Sequence, residues 1–448
     1  MKKFLKLVFF CVVTYLVYNY LDNHHISVSE KISGAGAWLH NKYDAITKSS
    51  QGDKKTTYVE PQKINKPDYQ SSHTEKVNVN QNQNTTDNLP GEDSINVTAN
   101  DVAPQEIDNS NNTSETVQPV EMPAEPENFP HGNQEWVKAV TEKYSPDTWF
   151  MLMEYDKLPP VGEAPSSNGS AISSPKPSQT FSFLQGSSKE TLLANMATNV
   201  HENAHAYYRQ NVYRYARENN IQYDWDKVYG YIYITPSESF FVSFPRKSLF
   251  PSNKLVSVIP GNLRTFRFDD YIDGITSTQE EGVFGLLNEL HAYYLGSKLN
   301  YDVLPGYILI KGSEADGLFD WVMHCQSEMT AFYEFDFFIR EYLLYMKHNY
   351  ASDYEALKAY KPFGEAYAAV RTVYQQLVYS YIELIKSEIQ KINESGKEKF
   401  SIENGYLAVK YTDGTGSRVP VFSDDRTTLL PVIGSGRYNE ILNDFPGI

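Results

Sequence analysis

The chain has 448 residues, 41% of them hydrophobic and 14% aromatic, with 34 tyrosines, enough apolar material for a substantial core. Its formal net charge of −16 excludes a protein that grips nucleic acid through a general basic surface. Two cysteines, Cys11 and Cys325, exclude a disulfide framework.

Met1-Lys2-Lys3 is a basic start, and Phe4 to Leu21 is apolar apart from Lys6, Thr14 and Asn19. Residues 1–22 therefore read as a signal anchor or a cleavable signal peptide. The bulky, polar run Tyr18 to Asn23 offers no small-residue cleavage site, which favours the anchor, with the lysines on the cytoplasmic side. Residues 49–128 are rich in Asn, Thr, Gln, Glu, Ser and Pro, and no aromatic falls between Tyr69 and Phe129. Such a stretch buries too little apolar surface to offset its ordering entropy, so it reads as a disordered stalk. Much of the chain's acidity is local to it: eleven Asp and Glu and no Lys or Arg lie between Lys76 and Lys138.

The folded region is expected over 129–448. Gln134 to Leu158 reads as helix, and 159–180, rich in Ser, Pro and Gly, as a flexible loop. Ser187-Ser188-Lys189-Glu190 is a capping box that opens a long helix to about Asn219. Tyr229 to Ile234 and Phe240 to Phe244 read as strands about the Thr235-Pro236-Ser237 turn, and Leu255 to Ile259 and Thr265 to Phe268 as two further ones. Thr278-Gln279-Glu280-Glu281 is a second capping box, opening a helix to about Leu299. Helices from about Glu314 to Asn349 and Gly364 to Asn393 follow, and Gly405 to Phe422 closes as a hairpin. The expected class is α+β, mainly helical.

The first long helix carries His201-Glu202-Asn203-Ala204-His205. Residues four apart on a helix share one face, so His201 and His205 can offer two imidazoles to one metal ion, with Glu202 within reach of a water that the ion holds. Zinc lowers the pKa of such a water and a neighbouring carboxylate takes its proton. The stripe Leu193, Met196, Val200, Ala204 and Tyr208 faces inward and sets the histidines at the edge of the core. Asn211 stands where a metzincin extension needs histidine, which excludes that class.

Two downstream residues compete as third ligand, Glu289 and His291, both in Asn288-Glu289-Leu290-His291-Ala292-Tyr293-Tyr294. They lie about 200° apart around a helix and cannot both face the metal. Here the sequence resembles the gluzincin zinc peptidases, whose second glutamate-bearing helix completes a His, His, Glu site. The run Glu289 to Tyr293 is similar to the Glu-x-x-Ala-Asp pattern of membrane-associated gluzincins, with Tyr293 in place of the aspartate. The resemblance spans about Leu192 to Leu299. It implies a zincin-like domain with an active-site helix, a short antiparallel sheet and a downstream glutamate-bearing helix. It further implies Zn²⁺ held by His201, His205 and Glu289, with Glu202 as general base and Tyr293 orienting a ligand or supporting an oxyanion. His324, Glu328 and Asp336 are more remote ligand candidates, and Cys325, alone in an aromatic helix, reads as core.

The expected function is zinc-dependent hydrolysis of a peptide or protein substrate outside the cytoplasm, by a protein that meets the membrane through its N-terminal segment only. The rival expectation, from another class, is a catalytically silent adhesion or scaffold protein displayed on the same stalk.

Overall fold

The structure is a computed structural model that describes residues 129–448, except 167–168, 275–276, 397–398, 411–413, 446 and 448. The N-terminal segment of 1–22 and the stalk of 49–128 lie outside the described residues. Among the described residues no helix is long and apolar enough to cross a membrane.

Two helices open the fold, α1 (Asn133–Tyr144) and α2 (Pro146–Lys157), where the sequence reads as one. The break falls before Pro146, which has no N–H to continue a helix but fits its first turn. Ser145 secures the joint: its hydroxyl donates to Asp302 Oδ2 at 2.6 Å and lies 2.9 Å from Thr148 Oγ1. The next stretch, expected to be flexible, instead forms a hairpin of β1 (Val161–Pro165) and β2 (Ala171–Pro175). Ala164 and Ile172 pack there with Tyr213 and Ala216, so the helix that follows supplies the apolar support a two-stranded ribbon lacks alone.

That helix is α3 (Lys189–Glu218). Its capping box lies one residue later than the sequence suggests. Ser188 accepts from Thr191 N and Thr191 Oγ1 accepts from Ser188 N, each at 3.2 Å. Glu190 is thereby released to pair with Lys311 at 2.9 Å. The inward stripe is as expected, with Leu193, Met196, Val200, Ala204 and Tyr208 all fully buried. Each large apolar side chain removed from water there contributes about 1.5–3 kcal/mol.

Strands β3 (Lys227–Thr235) and β4 (Glu238–Pro245) form an antiparallel ribbon against α3. A glycine is required at Gly230, because the Tyr208 ring occupies the space a Cβ would need. The two further strands do not form. Single 3₁₀ turns at Ser252–Ser257 and Gly261–Leu263 follow Pro251 and Pro260, which have no N–H to give a ladder. At Arg267 the backbone N–H is bonded to Glu334 Oε1 at 3.0 Å, not to a neighbouring strand.

Helix α4 (Val283–Asp302) begins later than the second capping box predicts. A separate turn at Ser277–Glu280 comes first, and Gly282 intervenes with φ of +57°, a left-handed conformation that interrupts the helix. A Cβ at Gly282 would also lie 2.6 Å from the Phe250 carbonyl oxygen. Helix α4 is buried almost all round, and packs against α3, α6 (Glu314–Asn349) and α8 (Lys361–Glu394). Short helices α5 (Leu304–Lys311) and α7 (Ala351–Ala359) connect these long ones. The chain closes with a meander of β5 (Lys399–Glu403), β6 (Tyr406–Lys410) and β7 (Gly416–Pro420), then α9 (Asp425–Ile433). The architecture is α+β and mainly helical.

Candidate metal centre

His201 and His205 stand one turn apart on α3, and Glu289 faces them from the buried helix α4. Their approach depends on small residues. A Cβ on Gly296, two turns past Glu289 on α4, would lie 3.2 Å from the Ala197 carbonyl oxygen and 3.7 Å from His201 Cβ. Ala197 and Gly296 thus let the helix backbones close, and the side chains a turn or two away converge.

The three donor atoms meet. His201 Nε2 and His205 Nε2 are 3.0 Å apart, and Glu289 Oε2 lies 3.2 Å from His205 Nε2 and 3.7 Å from His201 Nε2. Tetrahedral ligands about 2.0–2.1 Å from a zinc ion would be spaced about 3.3 Å apart, so these separations fit one shared cation. The donor environment points the same way. Glu289 is only 4% exposed, no Lys or Arg among the described residues pairs with it, and its Oε2 faces the two imidazoles. A carboxylate buried against neutral imidazoles is costly, and a metal ion held with them would supply the opposing charge that a protonated His205 otherwise provides. His205 is the most open of the three candidate donors, its side chain 18% exposed.

The imidazoles are electrostatically unequal. Burial drives the His201 pKa well below the ordinary value, and the charges of His205 and Arg267 push it the same way. Burial also opposes charge on His205, but the Glu289 carboxylate and hydrogen bonds with Glu289 and Asn288 outweigh it and raise the pKa. Metal ligation needs both rings neutral, so binding would displace a proton from this site.

Glu202, half-buried, is the next residue on α3, and its charge acts on His205. The two residues between Glu202 and His205 serve the fold: Asn203 Nδ2 donates to the Thr180 carbonyl at 2.8 Å, and Ala204 is core. Tyr293 packs edge-on against His201, with ring centroids 4.4 Å apart. Its hydroxyl lies 3.0 Å from that of Tyr271, and the Arg267 guanidinium stacks 4.5 Å from its ring centroid. Burial raises the Tyr293 pKa against the opposing pull of Arg267. Arg267 is itself fixed by Glu334, at 2.5 Å, and by the Ser327 carbonyl at 3.1 Å.

The other ligand candidates stand apart from the cluster. His291 is fully buried on another side of α4, with Nε2 2.7 Å from the Tyr233 carbonyl oxygen, and burial lowers its pKa to about 4. His324 stacks on Tyr307. Asp336 is paired with Arg340 and Arg371. Glu328 Oε2 lies near Gly296, and burial raises its pKa. Cys325 is fully buried, which pushes its thiol pKa well up. Among the described residues His201, His205 and Glu289 form the one group of three that could hold a metal ion. Sequence reasoning missed Asn288, whose Oδ1 lies 3.1 Å from His205 Nδ1, and Tyr271. Asn288 had a visible signal, since it directly precedes the ligand glutamate; Tyr271 had none.

Comparison with protein-family models, curated proteins and solved structures finds no match to this chain.

Proposed function

We propose that the protein is a zinc-dependent peptidase of gluzincin-like, zincin-fold design that acts outside the cytoplasm. The observation that carries this reading is the meeting of His201 Nε2, His205 Nε2 and Glu289 Oε2 at spacings suited to one tetrahedral ion. Two imidazoles and one carboxylate are three donors, and a tetrahedral ion held by them would keep a fourth position, as in a hydrolytic zinc site rather than a closed structural one. Zinc held by His201, His205 and Glu289 would supply Lewis acidity and acidify a water. Glu202, the residue next to His201 on α3, would take the proton from that water and pass it to the leaving amine. Asn288 orients the His205 ring, Tyr293 packs on the His201 ring, and the Tyr271–Tyr293 hydroxyl pair donates to the oxygen on which charge develops.

An N-terminal anchor or signal peptide at Met1 to Leu21 would set the site beyond the membrane, and the acidic stalk would carry it clear of the bilayer. Elemental analysis of the purified protein, before and after reconstitution with zinc, is the first test. Near one zinc per chain together with cleavage of a peptide library is expected. Lack of stoichiometric zinc after reconstitution would sink the reading, and stoichiometric zinc with no hydrolysis of any peptide would favour the silent scaffold.

A further inference from the structure

A cavity of about 260 Å³ opens beside the C-terminal half of α3, lined there by Arg209, Gln210, Val212 and Tyr213, and its charge is opposite to that of the chain. Arg209 lines it, and Arg209 follows His205 by four residues as His205 follows His201. The three therefore lie along one helix face, with Arg209 about 6 Å along the axis beyond His205. Lys227, at the start of β3, and Arg246, just after β4, complete a set of three cations against a single carboxylate, Glu281. Lys227 and Arg246 make no side-chain hydrogen bond or ion pair among the described residues, unlike most cations of the fold. Glu281 does not neutralise the set. One of its oxygens, Oε2, is buried without a hydrogen-bond partner, and burial raises its pKa against the pull of Arg209, Arg246 and His205. The walls are stiff, because Tyr223 stacks on Tyr229 at 4.5 Å and on Tyr213 at 5.5 Å between ring centroids.

Resting on the peptidase reading, we infer that this cavity is a substrate subsite that takes a carboxylate, one or two residues from the bond that is cut. An extended peptide advances about 3.4 Å per residue, so one lying along this face would bring such a group to Arg209, Lys227 and Arg246. The carboxylate is either an aspartate or glutamate side chain or the C-terminus of a short peptide. In both cases guanidinium and ammonium donors meet a carboxylate, the strong class of charge-assisted hydrogen bond. The adjoining cavity shares Lys227 and Arg246 but sets Asp224 and Asp226 against them and Lys247, which leaves it less cationic than the first.

Binding without turnover tests this separately from catalysis. Zinc-reconstituted full-length Glu202→Gln protein is titrated with three peptides: acetyl-Ala-Ala-Glu-Ala-Ala-amide, its Gln counterpart, and acetyl-Ala-Ala-Ala-Ala with a free C-terminus. The Glu peptide or the free-carboxylate peptide should bind about tenfold or more tighter than the Gln peptide. Whichever of the two is preferred identifies the source of the carboxylate. In the variant Lys227→Gln/Arg246→Gln that preference should fall to within about threefold, with zinc content unchanged. Equal binding of all three peptides overturns the inference without need of any variant, and so does a preference that survives in the double variant. If the double variant does not fold, Lys227→Gln alone serves, and an undiminished preference in it counts against the subsite. Absence of hydrolysis by the unsubstituted protein, alongside charge-selective binding, would overturn the peptidase reading and leave the carboxylate site standing.

Discussion

His205 Nδ1 lies 3.1 Å from Asn288 Oδ1, so the residue directly before the ligand glutamate braces the imidazole from behind. With Nδ1–H donated to Asn288, the Nε2 lone pair is directed at the position shared with His201 and Glu289. One stretch of α4 thus supplies both a candidate ligand and the group that orients another.

Asn288→Ala removes this brace without touching a ligand atom. Metal affinity, measured by competition with a chelator, should fall by about 10–100-fold while the helical circular-dichroism signal is retained. Unchanged affinity would mean that packing alone fixes the ring.

The two carboxylates of the site should separate by what is lost. Glu202→Gln keeps size and shape, so zinc stays bound and hydrolysis drops by about 10² or more. Glu289→Ala should lose the metal, because two imidazoles alone leave the ion without its charged ligand. Zinc retained in Glu289→Ala would remove this residue from the centre.

His291→Ala should keep the metal and lose stability. The ring is fully buried with its Nε2 against the Tyr233 carbonyl, so truncation leaves a cavity and an unpaired acceptor, costing about 2–4 kcal/mol. Denaturant unfolding together with zinc content gives both numbers. Metal loss with unchanged stability would make His291, and not Glu289, the third ligand.

Tyr293→Phe retains the ring that packs on His201 and removes only the hydroxyl bonded to Tyr271. Zinc content should be unaffected and kcat should fall by about 10²-fold, with a smaller change in KM. Full activity in this variant would make Tyr293 a packing residue.

Outside the candidate metal centre, Asp336 should govern acid stability. Burial tends to raise its pKa, but Arg371 at 3.0 Å, Arg340 at 2.9 Å and the Tyr367 hydroxyl outweigh this and hold it below the ordinary value. A depressed carboxyl pKa contributes stability that is present above the unfolded value, about 3.9, and is lost as pH falls through the folded one. Asp336→Asn should therefore cost about 3–5 kcal/mol at pH 7, with the gap from the unsubstituted protein narrowing below about pH 4. Thermal melts at the two pH values check this, and a gap independent of pH would contradict it.

The sequence by itself determined the long helices and the first half of the site. The stripe from Leu193 to Tyr208 has a helical period, and the same period puts His201 and His205 on one face, so both follow from local spacing. The ribbon of β3 and β4 was legible for a similar reason, in its aromatic and branched runs about a proline turn. The order of the remaining elements depended on contacts distant in the chain. Leu255 to Ile259 carries strand-forming residues but lies between Pro251 and Pro260 in 3₁₀ turns, a local signal, whereas Arg267 in the second expected strand is held by the distant Glu334. The start of α4 shifted because Gly282 must fit beside Phe250. The choice of third donor was tertiary as well. Periodicity could not orient α4, since apolar residues surround it, and a helix buried on every side has no amphipathic phase to read. Its rotation is set by the close contact of Gly296 with Ala197 and by the hydrogen bond of His291 to Tyr233, which together turn Glu289 toward the two imidazoles.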